Sequence, residues 1–134
     1  MATFRAGTLP RDEWTHLAHL RVGAWHVHHH GADEALPLLR VRIGSLNERH
    51  GTANSTTGGY HETITAAYLR LIADFLASAN PELALDLRVA ALLESPLADR
   101  AVLFRYWSRD RLLSPEARAA WLAPDLAPLA WPAP

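Results

Sequence analysis

Three histidines and one glutamate in this chain have the types and spacing of a metal-binding or acid–base site. His16 and His19 lie three residues apart, so on a helix their rings rise from one face about one turn apart. His61 and Glu62 are neighbours in a second segment, between Tyr60 and Thr63. A buried histidine needs a partner for its ring nitrogens, so inward-facing histidines on separate helices indicate a shared ligand.

The set suits a divalent transition metal, with Fe and Zn as the favoured ions. His16, His19 and His61 would be the metal ligands, Glu62 a fourth ligand or general base, and Tyr60 a proton donor. Because the chain contains no cysteine, a metal would bind nitrogen and oxygen atoms only. The first prediction is therefore a small metal-dependent enzyme. Its reaction is not specified by the sequence, and the metal could be non-haem iron for oxygen chemistry or zinc for water activation.

Two other functions fit the same residues. The chain could be a non-catalytic helical module whose histidine-lined pocket binds a small anionic or aromatic ligand. It could also be a metal-free acid–base enzyme that uses the His61 and Glu62 pair with Tyr60. The sequence contains no nucleophile elbow, P-loop or dinucleotide fingerprint, which excludes the corresponding hydrolase, nucleotidase and Rossmann classes.

The elements that must position these residues are helices. Apolar residues recur at spacings of three and four, and no segment alternates with the period of a strand. Capping residues with nearby prolines and glycines predict helices over residues 10–29, 34–50, 60–78 and 81–94, with shorter helices after Pro96 and Pro115. We expect an all-α protein: a four-helix-type bundle with two short C-terminal helices, forming one domain over residues 1–134.

An up-down-up path would gather the candidate residues at one end of this bundle. The first and third predicted helices would then run parallel, and both would begin at the end of the bundle where the second helix ends. His16, His19, His61 and Glu62 would lie at that end. Asn47 and His50 are weaker candidates there. On the third helix Thr63, Arg70 and Asp74 are predicted to mark the exposed side. The polar loop 51–59 and the run His28–His30 are interpreted as structural rather than functional.

Composition limits the partners. The formal net charge is −1 and the arginines are scattered among acids, so nucleic-acid binding is not expected. No apolar run is long enough to span a bilayer and the first residues lack a signal peptide's pattern, so a cytoplasmic protein without membrane contact is expected. Five tryptophans and an extended, apolar, proline-rich tail over residues 122–134 suggest packing along the bundle or across a homo-oligomer interface. The predicted partner is a small-molecule ligand or substrate.

The motifs resemble those of an uncharacterised family of small bacterial helical proteins. That family shares a His-x-x-His-Leu/Val-Arg start, here His16 to Arg21, and a Tyr-His-Glu-Thr-Ile-Thr centre, here Tyr60 to Thr65. The likeness continues through Asn80 to Leu83, Arg105 to Ser108 and Leu113 to Arg118, ending at Pro124 to Leu126. The resemblance implies that His16, His19, His61 and Glu62 belong together, and it implies no particular activity.

Overall fold

The computed structural model describes residues 1–134 and contains helices and turns without strands. The α-helices are α1 (Ala2–Arg5), α2 (His16–His30), α3 (Ala32–Arg49), α4 (Glu62–Ser78), α5 (Leu85–Leu93), α6 (Arg109–Leu112) and α7 (Pro115–Ala119). Short 3-10 turns lie at Arg11–Glu13, Pro96–Ala98 and Val102–Arg105. The all-α prediction is confirmed, with four longer helices and two short C-terminal ones. None of the helices has both the length and the apolar character needed to cross a bilayer.

The start of α2 lies six residues later than residue 10, where the sequence predicted it. Thr15 is the N-cap, and its side-chain oxygen accepts a hydrogen bond from the backbone N–H of Ala18 at 3.2 Å. This bond satisfies one of the free donors of the first turn. His16 is therefore the first helical residue of α2. The helix ends at His30, and its C-cap Gly31 has a φ of 77°, which glycine adopts at little energetic cost.

The prediction for α5 also began too early. The side-chain oxygen of Asn80 accepts a hydrogen bond from the N–H of Glu82 at 3.0 Å, which forms a local turn rather than a helix cap. Helix α5 starts only at Leu85. Asparagine favours both caps and turns, so the sequence around Pro81 did not distinguish them.

Helices α2, α3 and α4 hold two separate clusters of buried apolar side chains. The larger cluster includes Leu71 and Trp107, and the smaller includes Phe4 and Leu46. Helices α2 and α4 contribute to both clusters, and they approach closely at Gly23, where an added Cβ would lie 2.8 Å from Cδ1 of Ile72. Because the two clusters share these helices without merging, the region between them is the natural place for a cavity.

The C-terminal tail packs on the bundle, the first of the two predicted alternatives. The indole N–H of Trp107 donates to the carbonyl of Leu122 at 2.8 Å, and the hydroxyl of Tyr106 donates to the carbonyl of Ala130 at 2.6 Å. The chain at the junction of α7 and the tail also covers Thr63, whose hydroxyl donates to the carbonyl of Ala120 at 2.9 Å and accepts the N–H of Leu122 at 3.0 Å. The prediction that Thr63 faces solvent is wrong, because a segment distant in sequence buries it completely.

His26 is fully buried and uses both ring nitrogens within the protein. Its Nδ1–H donates to the carbonyl of Val22 at 2.7 Å, and its Nε2 lies 2.7 Å from a guanidinium nitrogen of Arg42, which must be the donor. This pairing requires the neutral ring. Desolvation by burial lowers the pKa of His26 to about 4, and the neighbouring Arg42 cation adds to the effect.

We expect acid to destabilise the protein partly through His26. In an unfolded chain a histidine has a pKa of about 6.5, so between that value and the lower folded pKa the unfolded state binds more protons. Stability should therefore fall as the pH drops through this range, by on the order of 2 kcal/mol from His26. Urea denaturation of the parent and of His26→Gln at pH about 7.5 and about 4.5 measures this contribution. A loss of equal size in both proteins would contradict it.

Candidate functional site

A cavity of about 300 Å³ lies between α2, α3 and α4, and its lining includes two of the predicted site residues, His16 and His19. We call it the central cavity. Most of its lining is apolar, from both core clusters, and five polar side chains complete it. The lining residues are Trp14, His16, His19, Leu20, Val22, Gly23, Leu39, Ile43, Ile64, Thr65, Tyr68, Leu69, Ile72 and Arg100. An apolar cavity with a few polar groups is the usual form of a small-molecule site.

His16 and His19 both line this cavity, and the start of α2 fixes their orientation. The Nε2–H of His16 donates to the carbonyl of Leu97 at 3.1 Å, and its ring meets that of Tyr68 edge-on at 5.4 Å between centroids. With Nε2 protonated, Nδ1 of His16 is the acceptor nitrogen. Two of the three predicted histidine ligands are thus brought to one cavity.

His19 is held by its own helix start and by an aromatic neighbour. Its Nδ1–H donates to the carbonyl of Thr15 at 2.6 Å, and its ring stacks on the indole of Trp14 at 3.6 Å between centroids. Desolvation of the ring lowers the pKa of His19, although part of the residue is exposed. The ring therefore favours its neutral form, in which Nε2 is an acceptor.

His61 lies elsewhere and is fully engaged. It is the N-cap of α4: its Nδ1 accepts the backbone N–H of Ile64 at 3.1 Å, while its Nε2–H donates to the carbonyl of Leu112 at 2.8 Å. The residue is only 6% exposed, and desolvation, with the nearby Arg118 cation, lowers the pKa of His61. Both nitrogens are used, so His61 has no free lone pair for a metal.

Glu62 and Tyr60 form a closed network with Arg40. Two guanidinium nitrogens of Arg40 donate to the two carboxylate oxygens of Glu62 at 3.0 and 2.7 Å, and the hydroxyl of Tyr60 donates to Glu62 Oε1 at 2.7 Å. Hydrogen bonding from Arg40 lowers the pKa of Glu62, whereas burial and the bond to Glu62 raise the pKa of Tyr60. The carboxylate is stabilised in its charged form, which weakens it as a base.

The network lines a different pocket from the central cavity, although its Tyr60 interacts with Thr65 in the cavity wall. Tyr60, Glu62 and Arg40 line a more open groove that they share with Asn54 and Arg118, and none of these residues lines the cavity. No group of three or more His, Asp or Glu side chains in the structure is placed to hold a metal ion. The four predicted ligands, His16, His19, His61 and Glu62, therefore do not fit one metal centre as placed, and an Fe or Zn cofactor stays a prediction from the sequence.

The two weaker candidates have structural partners. The Nε2–H of His50 donates to the carbonyl of Leu9 at 2.8 Å, which ties α3 to the amino-terminal segment. The amide of Asn47 donates to Asn54 at 3.2 Å. Neither residue lines the central cavity.

Sequence reasoning missed three polar residues of the cavity. Tyr68 follows Ile64 by four residues and precedes Leu71 by three, a spacing that places it on the apolar face of α4 that borders the cavity. Thr65 lies one turn after His61, on the same side of α4 as Leu69. Arg100, which lies in the connection after the turn Pro96–Ala98, carried no local signal. Its position depends on how that connection folds back over the bundle.

The chain matches no family model, and neither the curated proteins nor the solved structures include a match to it. The resemblance described above therefore depends on its motifs alone. The central cavity is the feature of the structure that bears most directly on function.

Proposed function

We propose that this protein binds a small, largely apolar molecule in the central cavity without converting it. The observation that carries the proposal is the cavity's composition: a wall of aliphatic side chains such as Ile43, Ile64 and Ile72, with polar groups gathered near His16 and Tyr68. Its volume of about 300 Å³ is at the lower end of known ligand sites, which favours a molecule of one ring or a short chain.

The two catalytic alternatives have less support from the geometry. A general base should have an open proton-accepting atom near its substrate, but Glu62 is ion-paired with Arg40 and hydrogen-bonded by Tyr60. The lone pair of His61 Nδ1 accepts the N–H of Ile64, and its Nε2–H donates to the backbone carbonyl of Leu112. These side chains stabilise the start of α4, and none of them reaches the central cavity.

A titration with indole tests the proposal. Indole should shift the ¹³C-methyl signals of Ile43, Ile64 and Ile72 in a saturable way, with a dissociation constant on the order of 0.1–1 mM for so small a ligand. The methyl signals of Val41 and Leu113, which are exposed and outside the cavity, serve as controls. Shifts that do not saturate, or that appear equally at the control residues, would overturn the proposal.

A further inference from the structure

We infer that the ligand of the central cavity is a monoanion, an apolar molecule with one carboxylate that Arg100 and Tyr68 bind. This inference depends on the proposed function and names the chemical class of its ligand. Three features of the cavity lining support it: the charges it contains, the free hydrogen-bonding groups it presents, and the form of its two histidines.

The one formally charged side chain in the cavity lining is positive. Arg100 is the only lysine or arginine among the lining residues, and no aspartate or glutamate is among them. The guanidinium of Arg100 forms no ion pair and no hydrogen bond within the protein, in contrast to Arg40. Its neighbour Asp99 does not line the cavity, and one of its carboxylate oxygens accepts the N–H of Ala101 at 2.9 Å. A free cation at an apolar cavity provides the partner that a carboxylate needs there.

The hydroxyl of Tyr68 is a second free donor. Unlike Tyr60 and Tyr106, Tyr68 makes no hydrogen bond from its hydroxyl to another protein group. Burial raises the pKa of Tyr68 to about 12, so the hydroxyl keeps its proton at neutral pH. The edge-on contact with His16 orients the ring, and the charges of both Asp99 and Arg100 act on the pKa of the hydroxyl, Asp99 raising it and Arg100 lowering it. Tyr68 and Arg100 can therefore donate to the same anionic group.

The lining provides one arginine, and therefore one fixed cation, for one negative charge of the ligand. His16 and His19 each donate one ring N–H to a backbone carbonyl, so in the neutral ring the remaining nitrogen of each is an acceptor. The desolvated ring of His19 favours the neutral form and adds no positive charge to the cavity. A second carboxylate would have no second arginine or lysine as a partner in the lining, and its desolvation would not be compensated.

A matched pair of probes tests this assignment on the full chain. Calorimetric titration at about pH 8, where imidazoles are neutral, compares 3-phenylpropionate with its uncharged amide. The acid should bind about tenfold more tightly than the amide, as expected for one charge-assisted contact. The Arg100→Gln variant should lower the affinity for the acid to that for the amide, whereas Tyr68→Phe should reduce the preference for the acid several-fold.

The Arg105→Gln variant is the matched control, because Arg105 is also exposed and lies outside the central cavity. It should retain the full preference for the acid. If the acid and the amide bind equally and Arg100→Gln changes neither, the monoanion assignment is overturned while the proposed function stands. If neither probe nor indole binds, the proposed function itself fails. Melting temperatures of all variants identify any loss of binding that comes from misfolding.

Discussion

The His61→Ala variant should lose about 2–4 kcal/mol of unfolding free energy, the largest stability effect that we expect from any predicted site residue. Three losses combine. The N-cap bond to the N–H of Ile64 disappears, the carbonyl of Leu112 loses its donor, and a nearly buried ring leaves a gap between α4 and α6. Removal of a cap alone costs about 1 kcal/mol.

Urea denaturation of the parent and variant measures this loss. His61→Asn should lose less, because asparagine is a good N-cap although it is too short to reach Leu112. The control His28→Ala, at an exposed position on α2, should change stability by less than about 0.5 kcal/mol. An unchanged unfolding free energy in His61→Ala, accompanied by loss of a bound metal ion, would show that His61 is a ligand and not a cap.

The Thr65→Phe variant should reduce indole affinity at least about tenfold, the largest effect on binding that we expect. Thr65 lines the cavity from α4, and its hydroxyl donates to the carbonyl of His61 at 2.8 Å and also interacts with the hydroxyl of Tyr60. Replacing it with phenylalanine adds a ring to the cavity. The added side chain should therefore compete with the ligand for the same volume.

Thr65→Val separates volume from polarity. It removes the hydroxyl without filling the cavity, so its indole affinity should stay within about twofold of the parent. Titration calorimetry of both variants, together with their melting temperatures, provides the comparison. Equal affinity of Thr65→Phe and the parent would place the indole site elsewhere.

The helices and their arrangement could be predicted from the sequence because periodicity and caps are local signals. The all-α class, the long helices and the shared face of His16 and His19 at the start of α2 follow from such signals. The position of His61 could not be predicted from these local signals. The prediction put the start of the third helix at residue 60, which makes His61 a helical residue facing inward. As the N-cap, His61 directs its side chain at the first turn's own backbone.

Contacts between distant segments account for the other differences. Glu62 pairs with Arg40, which is 22 residues away, and Thr63 is covered by the segment at Ala120. The periodicity of apolar residues gives no information about contacts between distant segments. The same is true of Arg100, whose place at the central cavity depends on the path of the chain after α5. The sequence places Tyr68 on an apolar face of its helix, but the pattern does not show whether that face borders a filled core or a cavity.

The most direct test is an anomalous difference map from a crystal of the protein pressurised with xenon, a gas that enters apolar cavities. A xenon peak should lie among Ile64, Leu69 and Ile72, between α2, α3 and α4. Side chains that close this space, with no xenon peak among them, would show that the helices pack there without room for a ligand.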